Sequence, residues 1–252
     1  ALGSAKNHMV VMPDADLEQA SDALIGAAYG SAGERCMAIS VAVAVGDAGD
    51  RLIETLKPKI QNIKIGPYND DSSEMGPVIS KDALNRIQDL INSGVEEGAD
   101  LVLDGRNIKL QGYENGFFIG PTLFDKVKKS MNIYKEEIFG PVLSIVRASN
   151  YKEALDLVKE NKYGNGCSIF TRDGDTARNF SYESNIGMVG VNIPIPVPVA
   201  QFSFGGWKNS IFGGHNAYGM DAVRFYTHVK TVTSKWPESR SKGADLKMPT
   251  LG

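Results

Sequence analysis

Segments with helical periodicity alternate along the chain with short segments rich in β-branched residues, and this alternation constrains the fold more than any other feature. The clearest strand is predicted over residues 39–45, with the sequence ISVAVAV. The clearest helix is predicted over residues 80–94, where a serine cap precedes apolar residues spaced as one stripe. Strands that alternate with helices usually pair in parallel, so the pattern predicts an α/β fold with a largely parallel sheet and flanking helices.

The same reasoning assigns the other elements. Further helices are predicted at residues 14–29, 51–60, 151–161 and 176–183. Further short strands are predicted at residues 101–103, 117–119, 142–146, 168–171 and 188–191. Pro58 is expected to close its helix early, because proline lacks the N–H group that a helix interior needs.

The alternation stops towards the C-terminus. Prolines occupy every second position within residues 193–199, which are therefore expected to form an extended loop rather than a central strand. A glycine-rich loop follows, and residues 223–236 are predicted to form a final strand apart from the core. We therefore divide the chain into a main domain of residues 1–205 and a segment of residues 206–252 that contains the loop, the strand and the tail.

Composition excludes several classes of partner. Lys and Arg number 27 and Asp and Glu number 30, which gives a net charge of −3. We therefore expect neither a nucleic-acid partner, which would need a basic face, nor a membrane partner. The longest apolar runs are too short to span a bilayer. Two cysteines far apart in the sequence do not form a disulfide framework, which favours a reducing compartment.

Cys36 is the first candidate for chemistry. It follows a predicted helix and a glycine-containing turn in the string GSAGERCMAIS. A cysteine on such a loop can be exposed, and Arg35 beside it can favour the reactive thiolate. The alternative is that Cys36 is a small apolar residue of the core. Cys167, in the apolar string CSIFT, is expected to belong to the core of the sheet.

Two carboxylates precede a predicted strand in the string YKEEIFGPVLSIV. Glu136 and Glu137 are either solvated side chains at a strand entrance or acceptors for a ribose diol, and spacing alone leaves both open. The three histidines and two cysteines have no metal-ligand spacing, so no metal site is predicted. Neither a GxSxG elbow nor a glycine-rich phosphate-binding motif occurs in the sequence.

Six strings taken together resemble the aldehyde dehydrogenase family. In the order that the family shows, they are GERCMAIS, EEIFGPV, YGNGCSIFT, GMVGVN, FSFGGWK and YTHVKTVTSKW. The resemblance covers essentially the whole chain. Within the family, the strings KNHMVVMPDA, GYENGFFIGPT and VNIPIPVPV are similar to those of the CoA-acylating branch that acts on methylmalonate semialdehyde.

The resemblance implies roles for individual residues. Cys36 matches the nucleophile that attacks the aldehyde, and its backbone N–H matches half of the oxyanion hole. Glu137 matches the carboxylate that holds the nicotinamide ribose of NAD, and Phe139 matches the aromatic beside it. The matches to the wall of the substrate funnel are Asn192, Phe202 and Phe204.

Arg35 is a further candidate, because a guanidinium group fits a substrate carboxylate bidentately. The alternative is a structural contact to a backbone carbonyl. Hydrolytic relatives carry a general-base glutamate in a string like ELGGK, where this chain reads ALGSAKN. A second carboxylate, in a string like RELGEYG, is replaced here by GGHNAYG. Water attack on a thioester needs a base, so the two departures favour acyl transfer to coenzyme A.

The resemblance also implies a larger protein. The family's NAD-binding domain precedes the part that this chain matches, so we expect residues 1–205 to be the catalytic domain, with NAD as cofactor and coenzyme A as co-substrate. The expected substrate is a small-molecule semialdehyde, and the expected assembly is a homodimer or homotetramer. The expected location is the bacterial cytoplasm or the mitochondrial matrix. A hydrolytic aldehyde dehydrogenase and an inactive oligomerisation module remain the alternatives.

Overall fold

The computed structural model of the protein describes residues 1–234 and residue 236. Its strands are β1 (Asn7–Val11), β2 (Ile39–Val45), β3 (Asp100–Leu103), β4 (Thr122–Asp125), β5 (Val142–Ala148), β6 (Tyr163–Gly164), β7 (Gly166–Phe170), β8 (Met188–Val191) and β9 (Trp207–Lys208). Its helices are α1 (Leu17–Tyr29), α2 (Ala48–Gln61), α3 (Lys81–Glu96), α4 (Asn132–Lys135), α5 (Tyr151–Glu160), α6 (Gly174–Glu183) and α7 (Met220–Tyr226).

Seven of the strands form one sheet, in the order β3-β4-β5-β2-β1-β7-β8. Every pair in this sheet is parallel except β3 with β4. β1 is buried along its whole length and β2 almost so, because helices cover both faces of a parallel sheet. The predicted α/β fold with a largely parallel sheet is thus confirmed. β6 and β9 form a separate antiparallel pair.

Local signals set the helix starts as the sequence indicates. The side chain of Asp16 accepts a hydrogen bond from Gln19 N and begins α1, and Ser80 accepts one from Ala83 N and begins α3. Asn150 caps α5 in the same way. Residues 193–199 form a loop, as the alternate prolines predict.

Pro58 does not close its helix, contrary to the prediction. α2 continues through it to Gln61. The stripe formed by Leu52, Leu56 and Ile60 is fully buried and holds the last turn against the core. Pro58 lies on the exposed side, where water can bond the carbonyl that lacks its helical donor.

The strand predicted at residues 117–119 is also displaced. Phe117 O accepts a single backbone hydrogen bond from Val78 N, and Gly120 N donates to Gly105 O, so this stretch ties neighbouring loops together. Pro121 offers no N–H group, and the ladder that joins β4 to the sheet begins at the next residue.

The strand predicted at residues 223–236 does not form in the described residues. Residues 220–226 are helical and residues 227–234 have no regular structure. A helix satisfies its own backbone groups, whereas a strand needs a neighbouring edge. None of the helices in the described part of the chain has the length and apolar composition needed to span a bilayer.

Candidate active site

A sharp turn carries Cys36 to the surface between α1 and β2. A 3-10 turn over Gly30–Gly33 follows α1, and its backbone has positive φ at three consecutive residues. The last of these is Gly33, where a Cβ would lie 2.1 Å from the carbonyl oxygen of Gly140. Glycine is therefore required both by its conformation and by the close approach of the chain.

The two cysteines lie in opposite environments. Cys36 is exposed on the turn, and Cys167 is fully buried in β7. Burial raises the pKa of the Cys167 thiol to about 12, so it stays protonated at neutral pH. Of the two thiols, Cys36 has the exposure that a nucleophile needs.

Two side-chain amides hold the backbone under Cys36. The Nδ2 groups of Asn7 and Asn165 each donate to the Cys36 carbonyl oxygen at 2.9 Å. Sequence reasoning missed both residues. One signal was available: each asparagine lies at the start of a buried strand. Buried polar groups are almost always hydrogen-bonded, so each side chain could be expected to bond a neighbouring segment.

One cleft contains four of the residues that the sequence singles out. Arg35, Cys36, Glu137 and Phe139 line it together with Asn7. Glu137 is half-buried and Phe139 is 39% exposed, with a positive φ of 53° that turns the chain at the cleft wall. An exposed thiol and a carboxylate from distant parts of the chain therefore meet in one place.

Two basic side chains form hydrogen bonds with the backbone of the segment that carries Glu137. The Nζ group of Lys6 donates to Ile133 O at 2.6 Å and to Glu136 O at 2.8 Å. From the other side, the guanidinium group of Arg86 donates to Ile138 O at 2.6 Å and to the Glu137 carbonyl.

The Lys6 ammonium group is buried, and no local pattern around Lys6 indicates its contacts. Burial lowers the pKa of Lys6 to about 7, against the opposing effects of the Glu137 and Glu136 carboxylates. A lysine with such a pKa is close to half-charged at neutral pH.

Arg35 makes one contact within the turn. Its Nε group donates to Ser31 Oγ at 3.0 Å, and its guanidinium group lies over Gly30. The observed partner is a hydroxyl group, not the backbone carbonyl considered above. The side chain is exposed at the cleft, with its remaining N–H groups available.

The three residues matched to the substrate funnel lie outside this cleft. Asn192 follows β8, and its side-chain amide bonds both backbone groups of Thr171, each at 3.1 Å. Phe202 is 62% exposed on the following loop. Phe204 is buried and stacks on Tyr218, with ring centroids 5.6 Å apart. It packs with two methionines behind the cysteine turn, Met37 and Met188.

The chain is similar in sequence to known proteins over nearly its whole length. The profile of the aldehyde dehydrogenase family matches residues 2–232. Malonate-semialdehyde dehydrogenase of Pseudomonas aeruginosa is 57% identical over 100% of this chain and 51% of its own length. The acylating, mitochondrial methylmalonate-semialdehyde/malonate-semialdehyde dehydrogenase of Mus musculus is 48% identical over 98% of this chain and 46% of its own length.

Solved structures give the same result. A Sinorhizobium meliloti protein assigned as a methylmalonate-semialdehyde dehydrogenase, complexed with NAD, superposes with a TM-score of 0.94 at 62% identity. The match covers 95% of this chain and 49% of that one. The chain thus spans about half the length of the relatives it matches. Because the family profile matches nearly the whole sequence, the chain belongs to the aldehyde dehydrogenase family.

Proposed function

We propose that this chain is the catalytic half of a CoA-acylating, NAD-dependent dehydrogenase for methylmalonate or malonate semialdehyde. Its products would be propionyl-CoA or acetyl-CoA and CO2. The observation that carries the proposal is that the exposed Cys36 and Glu137 line the same cleft. The names of the Pseudomonas and mouse relatives support the choice of semialdehyde, and the latter supports acylation.

Cys36 begins the reaction. Its thiolate gives an electron pair to the aldehyde carbon, a carbon–sulfur bond forms, and the carbonyl electrons move onto oxygen. We assign the Cys36 backbone N–H as one donor to this oxyanion, since fixed donors stabilise charge that develops in the transition state. The rigid turn under Cys36 supports this role, because it holds the peptide in place before the substrate arrives.

The residues opposite Cys36 fit a nicotinamide ribose. The Glu137 carboxylate provides two acceptor oxygens for a diol, and Phe139 provides an exposed apolar face beside it. NAD held there would supply the hydride acceptor that oxidises the hemithioacetal to a thioester on Cys36. The Lys6 and Arg86 contacts support the role of Glu137, because they fix the backbone on both sides of it.

Acyl transfer completes the proposed cycle. The β-carboxylate of the thioester leaves as CO2, and the resulting enolate takes up a proton. The CoA thiolate then attacks the thioester carbonyl and the Cys36 thiolate departs, so no water molecule has to be deprotonated. Among the described residues that line the cleft, Glu137 is the one carboxylate, and the proposal assigns it to the ribose.

The substrate carboxylate and the assembly complete the proposal. Arg35 is assigned to the carboxylate of the semialdehyde, since its guanidinium group has free donors at the cleft. The exposed Phe202 is assigned to the substrate entrance, whereas Asn192, at the opposite edge of the sheet, and the buried Phe204 are assigned no contact with the substrate. We also propose a homodimer or homotetramer in the bacterial cytoplasm or the mitochondrial matrix, supported by α7, which exposes Met220, Val223 and Phe225.

Rapid-mixing kinetics of a full-length enzyme, in which an NAD-binding domain precedes this chain, would test the function. Without CoA, we expect one burst of NADH per active site and then a slow steady rate, because the thioester accumulates on Cys36. Added CoA should raise the steady rate while leaving the burst in place.

Matched cysteine variants control this experiment. Cys36→Ser should abolish the burst, whereas Cys167→Ser should retain it, since Cys167 is buried away from the cleft. A steady rate that does not respond to CoA would replace the acylating proposal with the hydrolytic one. A burst that survives Cys36→Ser would overturn the assignment of the nucleophile.

A further inference from the structure

The Cys36 carbonyl oxygen accepts two hydrogen bonds from two parts of the chain. Both donors are asparagine Nδ2 groups at 2.9 Å, from Asn7 at the start of β1 and from Asn165 at the junction of β6 and β7. Asn7 is 2% exposed and Asn165 is 5% exposed. A carbonyl oxygen has two lone pairs, so both are occupied.

The two asparagines differ in what else they hold. Asn7 also donates to Ala38 O at 3.0 Å and accepts from Gly166 N at 3.1 Å, so it ties three segments together. The side chain of Asn165 makes its polar contacts to the cysteine turn alone, at the Cys36 oxygen and at Met37 Sδ, 3.0 Å away. Asn165 can therefore be changed with less effect on the sheet.

Tight packing keeps the turn in this position. A Cβ on Gly166 would lie 2.6 Å from the terminal methyl group of Met37, so the residue that follows Asn165 has to be small. Met37 is buried with Met188 and Phe204 beneath the turn. The hydrogen bonds fix the backbone of Cys36 from one direction, and this cluster fixes it from another.

We propose that Asn7 and Asn165 are positioning residues that hold the Cys36 peptide and thereby orient the thiolate towards the cleft. The two N–H dipoles point at the negative end of the Cys36 carbonyl, which lies close to its own sulfur atom. They hold the Cys36 peptide in one orientation and so fix the direction in which its side chain leaves the backbone. The catalytic meaning of this inference rests on the function proposed above, but the effect on the thiol does not.

Alkylation of this chain tests the inference directly. We would measure the rate of Cys36 modification by iodoacetamide as a function of pH, by mass mapping. Asn165→Leu removes the donor and keeps the branched shape and the number of side-chain heavy atoms. We expect its whole pH–rate profile to lie lower, with roughly tenfold slower modification near neutral pH, because the turn no longer holds the thiol in its exposed position.

The matched control is Asn161→Leu. Asn161 is another buried asparagine, and its side chain accepts from Tyr163 N without touching the cysteine turn. Its variant should keep the wild-type profile. Labelling of Cys167 in the same samples reports unfolding, because that thiol is buried. If Asn165→Leu exposes Cys167, the smaller Asn165→Ala variant, which also loses the donor and adds no charge, provides the same comparison.

The outcomes separate the two proposals. A profile in Asn165→Leu that matches the wild type would overturn the positioning role, whether or not the full-length enzyme proves CoA-dependent. In that enzyme we expect Asn165→Leu to lower kcat by about tenfold while KM for the semialdehyde stays unchanged. A change in KM alone would show that Asn165 affects binding, and would also contradict the proposal.

Discussion

At the scale of single residues, the dipeptide Lys6–Asn7 supports both halves of the cleft. Consecutive side chains in extended backbone point to opposite sides. The Lys6 side chain bonds the segment that leads to Glu137, and the Asn7 side chain bonds the carbonyl of Cys36. The distance between Cys36 and Glu137 therefore depends on the two neighbouring side chains at the start of β1.

Lys6 gives the chain a specific dependence of stability on pH. The pKa of Lys6 is about 7 in the folded state and 10.5 in an unperturbed lysine, so between these pH values the unfolded state binds more protons. The contribution of Lys6 to stability therefore rises with pH through this window. Between about pH 7 and pH 9, this effect should raise the free energy of unfolding of the wild type by roughly 2 kcal/mol. Lys6→Met should lack that increase. Guanidinium chloride unfolding at both pH values measures the difference.

Lys57→Met is the control for this measurement, because Lys57 is an exposed lysine on α2. Its stability difference from the wild type should be small and equal at both pH values. A Lys6→Met difference that is likewise constant would show that Lys6 is charged throughout the range.

Arg35→Gln tests the site for the substrate carboxylate. In the full-length enzyme, a lost charge-assisted hydrogen bond of about 1.5–3 kcal/mol corresponds to roughly 10- to 150-fold in KM. We expect this rise for methylmalonate semialdehyde and little change for propanal, which has no carboxylate. Arg51→Gln, on the exposed face of α2, is the control. Equal losses for both aldehydes would mean that Arg35 acts on Cys36 or on the turn.

At the scale of elements, burial of an apolar face determines whether a helix continues where a local signal predicts its end. Pro58 interrupts the hydrogen bonds of α2, yet the helix continues because its apolar stripe is buried. Proline in a helix interior costs about 3 kcal/mol relative to alanine, offset in part by a stiffer unfolded chain. We expect Pro58→Ala to raise the free energy of unfolding by about 1–2 kcal/mol in urea titration.

Lys57→Ala, one residue earlier and exposed, should change stability by less than about 0.5 kcal/mol. If Pro58→Ala were destabilising, the proline ring would have to contribute packing that its exposed position does not suggest.

The sequence predicts those elements whose signals are local. Caps such as Asp16 and Ser80 fall at the helix starts that the structure shows, and the strand of residues 39–45 has its predicted bounds. The β4 strand was misplaced because its ladder depends on neighbours that are distant in sequence.

The same limit applies to the site. The family motifs identify Cys36 and Glu137 as candidates for one site. Lys6 and Asn165, by contrast, contact partners that are 127 to 130 residues away in the sequence, and no rule based on spacing predicts such contacts.

At the scale of the whole molecule, the cleft lies at the amino ends of the parallel strands. Asn7 begins β1, Cys36 precedes β2, Phe139 precedes β5 and Asn165 precedes β7. Ligands in open α/β sheets commonly bind at the carboxyl ends instead. Asn192 follows β8 at that opposite edge, which explains why it lies outside the cleft.

This geometry predicts weak NAD binding by the chain alone. Glu137 and Phe139 offer one wall for the ribose, while a dinucleotide is usually anchored at its pyrophosphate by a glycine-rich turn and a helix N-terminus. The sequence contains no such motif. Calorimetric titration of the 252-residue chain should therefore show no saturation at micromolar NAD, whereas the full-length enzyme should saturate. In the latter, Glu137→Gln should weaken binding by roughly 10-fold or more, because a charge-assisted hydrogen bond is lost. Suppose instead that the 252-residue chain binds NAD with micromolar affinity and that Glu137→Gln abolishes this binding. The principal contacts to NAD would then lie within this chain, and the proposal that a separate domain provides them would be wrong.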